Sequence, residues 1–195
     1  MQQVVGLVGY IASGKSTVSE HFIEQGFRYF KLSDVIRQEC VSRGLEINRT
    51  NLQNVGNELR VKHDASYLVE RTLQSAGRSK KIIIDGIRNP EEIKYLREHS
   101  PAFILGIIAP KYVRLERYMD RLAERGEDGM NKAAFYRADK REQGIGEDTT
   151  GQQVSACLDM VDHTIKNNGS LDDLLIDCEE VLQTNLFTGE IPVIG

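Results

Sequence analysis

The chain has 195 residues, of which 40% are hydrophobic and 28% charged, with a formal net charge of -4. That length suits one domain burying about 70% of the surface its unfolded form exposes, and the composition excludes a disordered or membrane-spanning chain. The acidic balance argues against a general nucleic-acid binder, which carries a basic excess.

The first apolar run, VVGLV at residues 4–8, reads as a buried strand. The nine residues GYIASGKST follow it, and a helix is expected from Ser16 to Gln25. VVGLVGYIA is too short to cross a bilayer and is broken by glycine, so neither a targeting segment nor a membrane partner is expected. RYFKL, 28–32, gives a second strand, with Asp34 and Arg37 of LSDVIRQE just beyond it. Thr50 and Gln53 have capping-box spacing, which predicts a helix from Asn51 to Lys62.

KIIIDG, 81–86, and AFILGIIA, 102–109, are continuously apolar rather than alternating, the pattern of parallel strands covered on both faces. Between them, Asn89-Pro90-Glu91-Glu92 combines an N-cap residue, proline at the first helical position and a glutamate able to reach back to the cap. HTIKN, 163–167, is a fifth strand, and Ser170 with Asp172 and Asp173 opens a last helix ending near Gln183. The tail 184–195 has no periodic pattern and receives no role. Cys40, Cys157 and Cys178 are odd in number and lack C-x-x-C spacing, so no disulfide framework or zinc site is expected and a reducing cytoplasmic setting is. The four histidines are scattered and read as surface or packing residues.

Gly9-x-x-x-x-Gly14-Lys15-Ser16 is the spacing of a phosphate-binding loop between a strand and a helix. Glycines let the chain turn tightly, so that backbone N–H groups from Gly9 through Ala12, Ser13 and Gly14 point into one concavity. Lys15 supplies charge to the outer phosphates, the Ser16 hydroxyl can ligate Mg2+, and Thr17 adds a hydroxyl near the inner phosphate. Two glycines, a lysine and a hydroxyl residue at these offsets arise by chance in about one chain of this length in a hundred, which favours a functional loop.

Asp85 closes the KIIIDG strand at the rim where parallel sheets bind ligands, a position suited to holding Mg2+ through water. Arg37 and Arg88, from neighbouring strand ends, are suited to clamping a second phosphorylated ligand because a guanidinium binds two oxygens and keeps its charge. Arg114, Arg117 and Arg121 recur on one side of a helix that breaks at Arg125-Gly126-Glu127-Asp128-Gly129. With Arg137, Lys140 and Arg141 they suggest a hinged lid over the transferring group, Arg117 and Arg121 foremost.

This order of motifs, phosphate loop, SDVIR, DGIR, arginine-rich segment and late IKNNGSLDDL, resembles the nucleoside monophosphate kinase superfamily of P-loop kinases from Val4 to about Gln183. DGIRNPEEIKYLRE is similar to phage-type deoxynucleoside monophosphate kinases, and VDHTIKNNGSLDDL to dephospho-coenzyme A kinases. The lid arginines are similar to those of adenylate kinases, although Asp85-Gly86-Ile87-Arg88 is one residue shorter than the adenylate kinase Asp-Gly-Phe-Pro-Arg. The resemblance implies an α/β three-layer sandwich with a five-stranded parallel sheet in the order 2-3-1-4-5. It also implies a kinase domain over 1–183 with a lid insert at about 111–146. The turn at Asn167 would border the adenine of ATP.

The activity that follows is transfer from ATP-Mg2+ to a nucleoside or deoxynucleoside monophosphate. Lys15 and the loop would hold the donor, Ser16 and Asp85 the metal, and Asp34, Arg37 and Arg88 the acceptor, with Arg117, Arg121 and Arg141 compensating charge in transit. An acceptor phosphate is already anionic and needs no base, whereas a dephospho-coenzyme A hydroxyl would use a carboxylate such as Asp34. An ATP-binding regulator without an acceptor is the reading from another class. The expected partners are small molecules, with no nucleic acid. Oligomeric state is not legible.

Overall fold

In the computed structural model, which describes residues 2–125 and 131–186, the apolar runs become five parallel strands in the order β2-β3-β1-β4-β5. They are β1 (Gln3–Val8), β2 (Arg28–Lys31), β3 (Lys81–Ile87), β4 (Ala102–Ile108) and β5 (His163–Lys166). This is the expected fold class and strand order.

Nine helices are found among the described residues: α1 (Lys15–Glu24), α2 (Leu32–Ser42), α3 (Arg49–Lys62), α4 (Tyr67–Ala76), α5 (Pro90–His99), α6 (Lys111–Arg125), α7 (Lys132–Glu142), α8 (Val154–Leu158) and α9 (Leu171–Val181). None of the described helices is long and apolar enough to cross a membrane.

Strand side chains alternate between two packed layers, as a pleated sheet requires. Val4, Val8, Ile82, Ile84 and Ile104 face the layer of α2, α3, α4, α5 and α8. Val5, Leu7, Ile83, Phe103 and Leu105 face α1 and α9. Full burial of each large aliphatic chain contributes about 1.5–3 kcal/mol, which explains why the central strands carry almost no polar residue. All three cysteines are buried and free, and burial pushes the Cys178 thiol up to about 12.

Helix starts follow cap chemistry. Asn89 accepts the Glu91 N–H while Glu92 accepts the Asn89 N–H, the expected reciprocal box. Ser170 and Asp173 do the same for α9, which ends at Val181 and passes into a π-helical turn, Leu182–Leu186. The expected start of α3 is corrected: Asn48, not Thr50, is the cap, accepting the Asn51 N–H at 2.9 Å, so the helix begins at Arg49. β2 stops at Lys31, one residue early, because Leu32 already opens α2. Helices α2, α4, α7 and α8 fall where the sequence predicts no helix. The glycine break at 126–129 and the tail beyond 186 lie outside the described residues.

At the top of the sheet β1 and β3 slip register: Leu7 pairs with Asp85 but Val8 with Ile87. Gly86 is the extra residue, with φ 94°, a conformation costly for any side chain. The bulge sets Asp85 and Arg88 beside the loop that leaves β1.

Candidate functional site

The loop between β1 and α1 turns through two left-handed residues, Ala12 at φ 60° and Gly14 at φ 106°. A side chain on Gly14 would also run into the Asn167 carboxamide. The following helix presents its N-terminal N–H groups, the positive end of its dipole, to the same space. Lys15 folds back across the loop, donating to Gly9 O at 2.6 Å and Tyr10 O at 3.0 Å. Loss of water contact lowers its pKa from the usual lysine value; Asp85 and Glu142 oppose that shift, and Arg88 and Arg121 reinforce it. Ser13 is fully buried, and its hydroxyl has no hydrogen-bond partner.

Asp85, at the end of β3, accepts the Tyr29 hydroxyl on Oδ2 at 3.0 Å. Its Oδ1 is buried and unpartnered beside the cleft. Burial and the neighbouring Asp85 charge together push the Tyr29 phenol above its ordinary pKa, so it remains a donor to Asp85. A carboxylate oxygen left in this state fits a hydrated divalent cation, and the Ser16 hydroxyl on the same wall supplies the second expected oxygen.

Residues 11–17 and Asp85 line one cleft of about 1120 Å³. Single-ligand pockets ordinarily run to about 300–1,000 Å³, so there is room for two ligands end to end. Ala12, Ser13, Gly14, Lys15, Ser16 and Thr17 line it, as do Asp85, Arg37 and Arg88. Arg117, Arg121 and Arg141 line it as well. The structure therefore brings the loop and Arg37, Arg88, Arg117, Arg121 and Arg141 to one space.

Three expected residues stand elsewhere. Gly9 lies behind the wall, where its carbonyl holds Lys15. Asp34 is half-exposed, 3.9 Å from Arg37, and does not line the cleft, although Ser33, Ile36 and Arg37 around it do. Asn167 is buried and braces the loop: its Nδ2 donates to Ser13 O at 2.9 Å, while its Oδ1 accepts from Arg117 at 3.1 Å.

Arg114 is a structural residue and not a lid arginine. It is buried, pairs with Asp139 of α7 at 2.7 Å and donates to Ala109 O and Ile11 O. Lys111 takes the other Asp139 oxygen, also at 2.7 Å. Burial alone would raise the Asp139 pKa, but hydrogen bonds from Lys111 and Arg114 outweigh it and hold the carboxyl below its ordinary value. With Tyr118 and Phe135 packed on Ala12, this pair fixes the α6–α7 hairpin over the phosphate loop. Arg137 and Lys140 are exposed and line no part of the cleft.

Two cleft residues carry no sequence signal of their own. Glu142, at the end of α7, is 6% exposed and accepts the Ile11 N–H of the loop at 2.6 Å. Its other oxygen lies 3.6 Å from Arg88. A carboxylate thus sits between the phosphate loop and Arg88. Arg60 of α3 is equally buried and lines the cleft with Gln53 and Asn57.

Comparison with other proteins agrees with this architecture. Residues 8–135 match a family model described as an AAA domain. A UPF0200 protein of Methanosarcina mazei is 34% identical over 191 residues, 95% of this chain and 97% of that one. One from Aeropyrum pernix is 30% identical over 189 residues, 96% of each chain. The chain belongs to the UPF0200 family and, over residues 8–135, to the AAA-domain family.

A longer UPF0200/UPF0201 protein of Archaeoglobus fulgidus is 30% identical, and this UPF0200 chain spans only 55% of its length. Among solved structures, shikimate kinase from Acinetobacter baumannii superposes with a TM-score of 0.58 at 14% identity, covering 95% of this chain and 96% of that one. TT1252 from Thermus thermophilus gives 0.58 at 18% identity, over 93% and 97%. At such identities the likeness is of fold, a P-loop kinase-like one.

Proposed function

We propose that the protein transfers the γ-phosphoryl group of ATP to the phosphate of a nucleoside or deoxynucleoside monophosphate. The observation that carries this reading is the single cleft whose wall holds the phosphate loop together with Arg37 and Arg88. Two anions placed there would lie head to tail, and in-line transfer needs little beyond such positioning and charge compensation. The kinase-like fold of the solved neighbours supports the reaction class.

In this reading the loop amides and Lys15 hold the donor phosphates, and Arg37 and Arg88 hold the acceptor phosphate. Arg117, Arg121 and Arg141 compensate the charge that moves between them. Mg2+, held by Ser16 and water-linked Asp85, would neutralise the donor's outer phosphates. Lys15 leaves the Gly9 and Tyr10 carbonyls to meet an incoming phosphate, which restores the charge that burial disfavours. Asn167 acts on the donor through Ser13 and Arg117. The hydroxyl-acceptor reading gains nothing from the geometry, because its base, Asp34, lies outside the cleft wall. The ligands in this reading are small molecules.

The test is incubation with ATP-Mg2+ and a panel of nucleoside and deoxynucleoside monophosphates plus dephospho-coenzyme A, with ADP release as readout. Release with at least one monophosphate, abolished by Lys15→Ala with an unchanged circular dichroism spectrum, is expected. Release with dephospho-coenzyme A alone, or with no acceptor at all, overturns the proposal.

A further inference from the structure

The cleft that holds the phosphate loop is also lined by a guanidinium with unspent donors. Arg60 is 6% exposed, and its two hydrogen bonds are long: Nη1 to Gly56 O at 3.4 Å and Nη2 to Glu92 Oε1 at 3.4 Å. Its Nε is buried with no partner. Glu92 is fully buried and cannot take up the slack, because its second oxygen already accepts the Arg88 and Asn89 N–H groups at 2.8 and 3.1 Å. An arginine offers five donors in a fixed fork, and a buried donor left unpaired costs free energy. The site is complete only when something with acceptor atoms enters.

The surroundings say what shape that is. Gln53, Asn57 and Arg60 follow one another at helical spacing on α3, and all three line the cleft with Leu52 and Ile36. Acidic side chains on the cleft wall, Glu20, Asp85, Asp120 and Glu142, come from α1, β3, α6 and α7 and not from this helix. Aliphatic surface beside a row of hydrogen-bonding groups suits a flat ring with a polar edge. Carboxamides adapt to either sense of hydrogen bond, but a guanidinium can only donate.

We infer that the acceptor is a nucleotide whose base turns the oxygen of purine C6 or pyrimidine C4 toward Arg60, as guanine, uracil or thymine can, and not one with an amino group at that position, as in adenine or cytosine. This rests on the monophosphate reading above and specifies its substrate. A guanidinium N–H bonds an oxygen at that position, and in guanine a second N–H can take the neighbouring N7, whereas an exocyclic amino group there sets donor against donor. A site built on such a bond discriminates against the analogue that cannot make it. Arg60 is on this account a specificity-determining residue.

The experiment uses the full chain and pairs of acceptors alike in sugar and phosphate: GMP with AMP, UMP with CMP, dTMP with dCMP. Binding is measured by calorimetry and transfer by ADP release. The oxo member of each pair is expected to bind at least about tenfold more tightly and to show the higher kcat/KM. Arg60→Lys, which keeps the charge opposite Glu92, is expected to reduce the oxo-to-amino ratio about tenfold while ATP affinity stays within about threefold. Should that variant unfold, Asn57→Ala provides the same readout from the same wall.

Preference for the amino members, a ratio near one, or an unchanged ratio in both variants overturns the inference and leaves the kinase reading standing. Tighter binding of a nucleoside bisphosphate regardless of base also overturns it, by assigning Arg60 to a second phosphate. If ATP binds but no monophosphate does, the proposed function itself fails and this inference fails with it.

Discussion

Glu142 holds the cleft in electrostatic balance when no ligand is present. Its carboxylate takes the Ile11 N–H and faces Arg88, and it raises the pKa of Lys15 against burial. An entering phosphate competes for the same amide and cations, so the carboxylate repels the ligand it resembles. Glu142→Gln keeps the shape and the hydrogen bond but removes the charge. Calorimetry at fixed ionic strength is expected to show ATP binding tightened by about three- to tenfold; a tenfold loss would contradict this role. Glu142 was not legible in the sequence because it ends YRADKRE, a segment that reads as a basic stripe. Nothing in that stripe says that its last residue meets a loop 131 positions earlier. Gly9-x-x-x-x-Gly14-Lys15-Ser16, in contrast, was legible throughout, because its chemistry is local: a tight turn, a charge and a hydroxyl at fixed offsets.

Secondary-structure elements were readable where their signals are short-range and less so where partners decide. The box at Asn89 and Glu92 and the cap at Ser170 sit within one turn of the residues they satisfy. Asn89 does more, since its Nδ2 donates to Thr149 O and Gly151 O at 3.0 and 2.9 Å and so anchors the segment carrying Gln152 to the cleft. Asn89→Ala is expected to cost about 2 kcal/mol in a denaturant melt, more than a surface cap alone; a change below about 0.5 kcal/mol would show the anchor to be dispensable.

The arginine stripe of α6 shows the opposite case. Spacing places Arg114, Arg117 and Arg121 on one side, but only the facing α7, through Asp139, turns the first of them into a structural pair. Asp139→Asn leaves Arg114 buried without its counter-charge, and a loss of about 3–5 kcal/mol is expected at neutral pH. The folded-state pKa of Asp139 is depressed below 3.8, so its contribution is present above the unfolded value and lost as pH falls through the folded one. Stabilities of wild type and variant should therefore converge only below pH 3.8. Convergence already near neutrality would contradict the pairing.

At the scale of the whole molecule, a bulged strand end, a glycine-turned loop and the α6–α7 hairpin converge on one cleft of about 1120 Å³. The parallel sheet was legible because strands buried on both faces must be apolar throughout, and its order came with the resemblance of the motifs. The Arg60 side of the cleft was not legible. Arg60 and Gln152 line it from α3 and the segment before α8, while the buried Glu92 of α5 pairs with Arg60, and these come together only when the layers close over the sheet.

The central claim, that two phosphorylated ligands meet end to end in this cleft, is tested most directly by one ligand that imitates both. Two nucleosides joined by a chain of five phosphates would span the phosphate loop and the arginine pair at once, and linkage spares the second association its entropic cost. Isothermal titration calorimetry is predicted to show one molecule bound per chain, at least about a hundredfold more tightly than ATP, with the gain lost in Arg37→Ala/Arg88→Ala. Affinity no greater than that of ATP, or a gain that survives the loss of both arginines, would contradict the account.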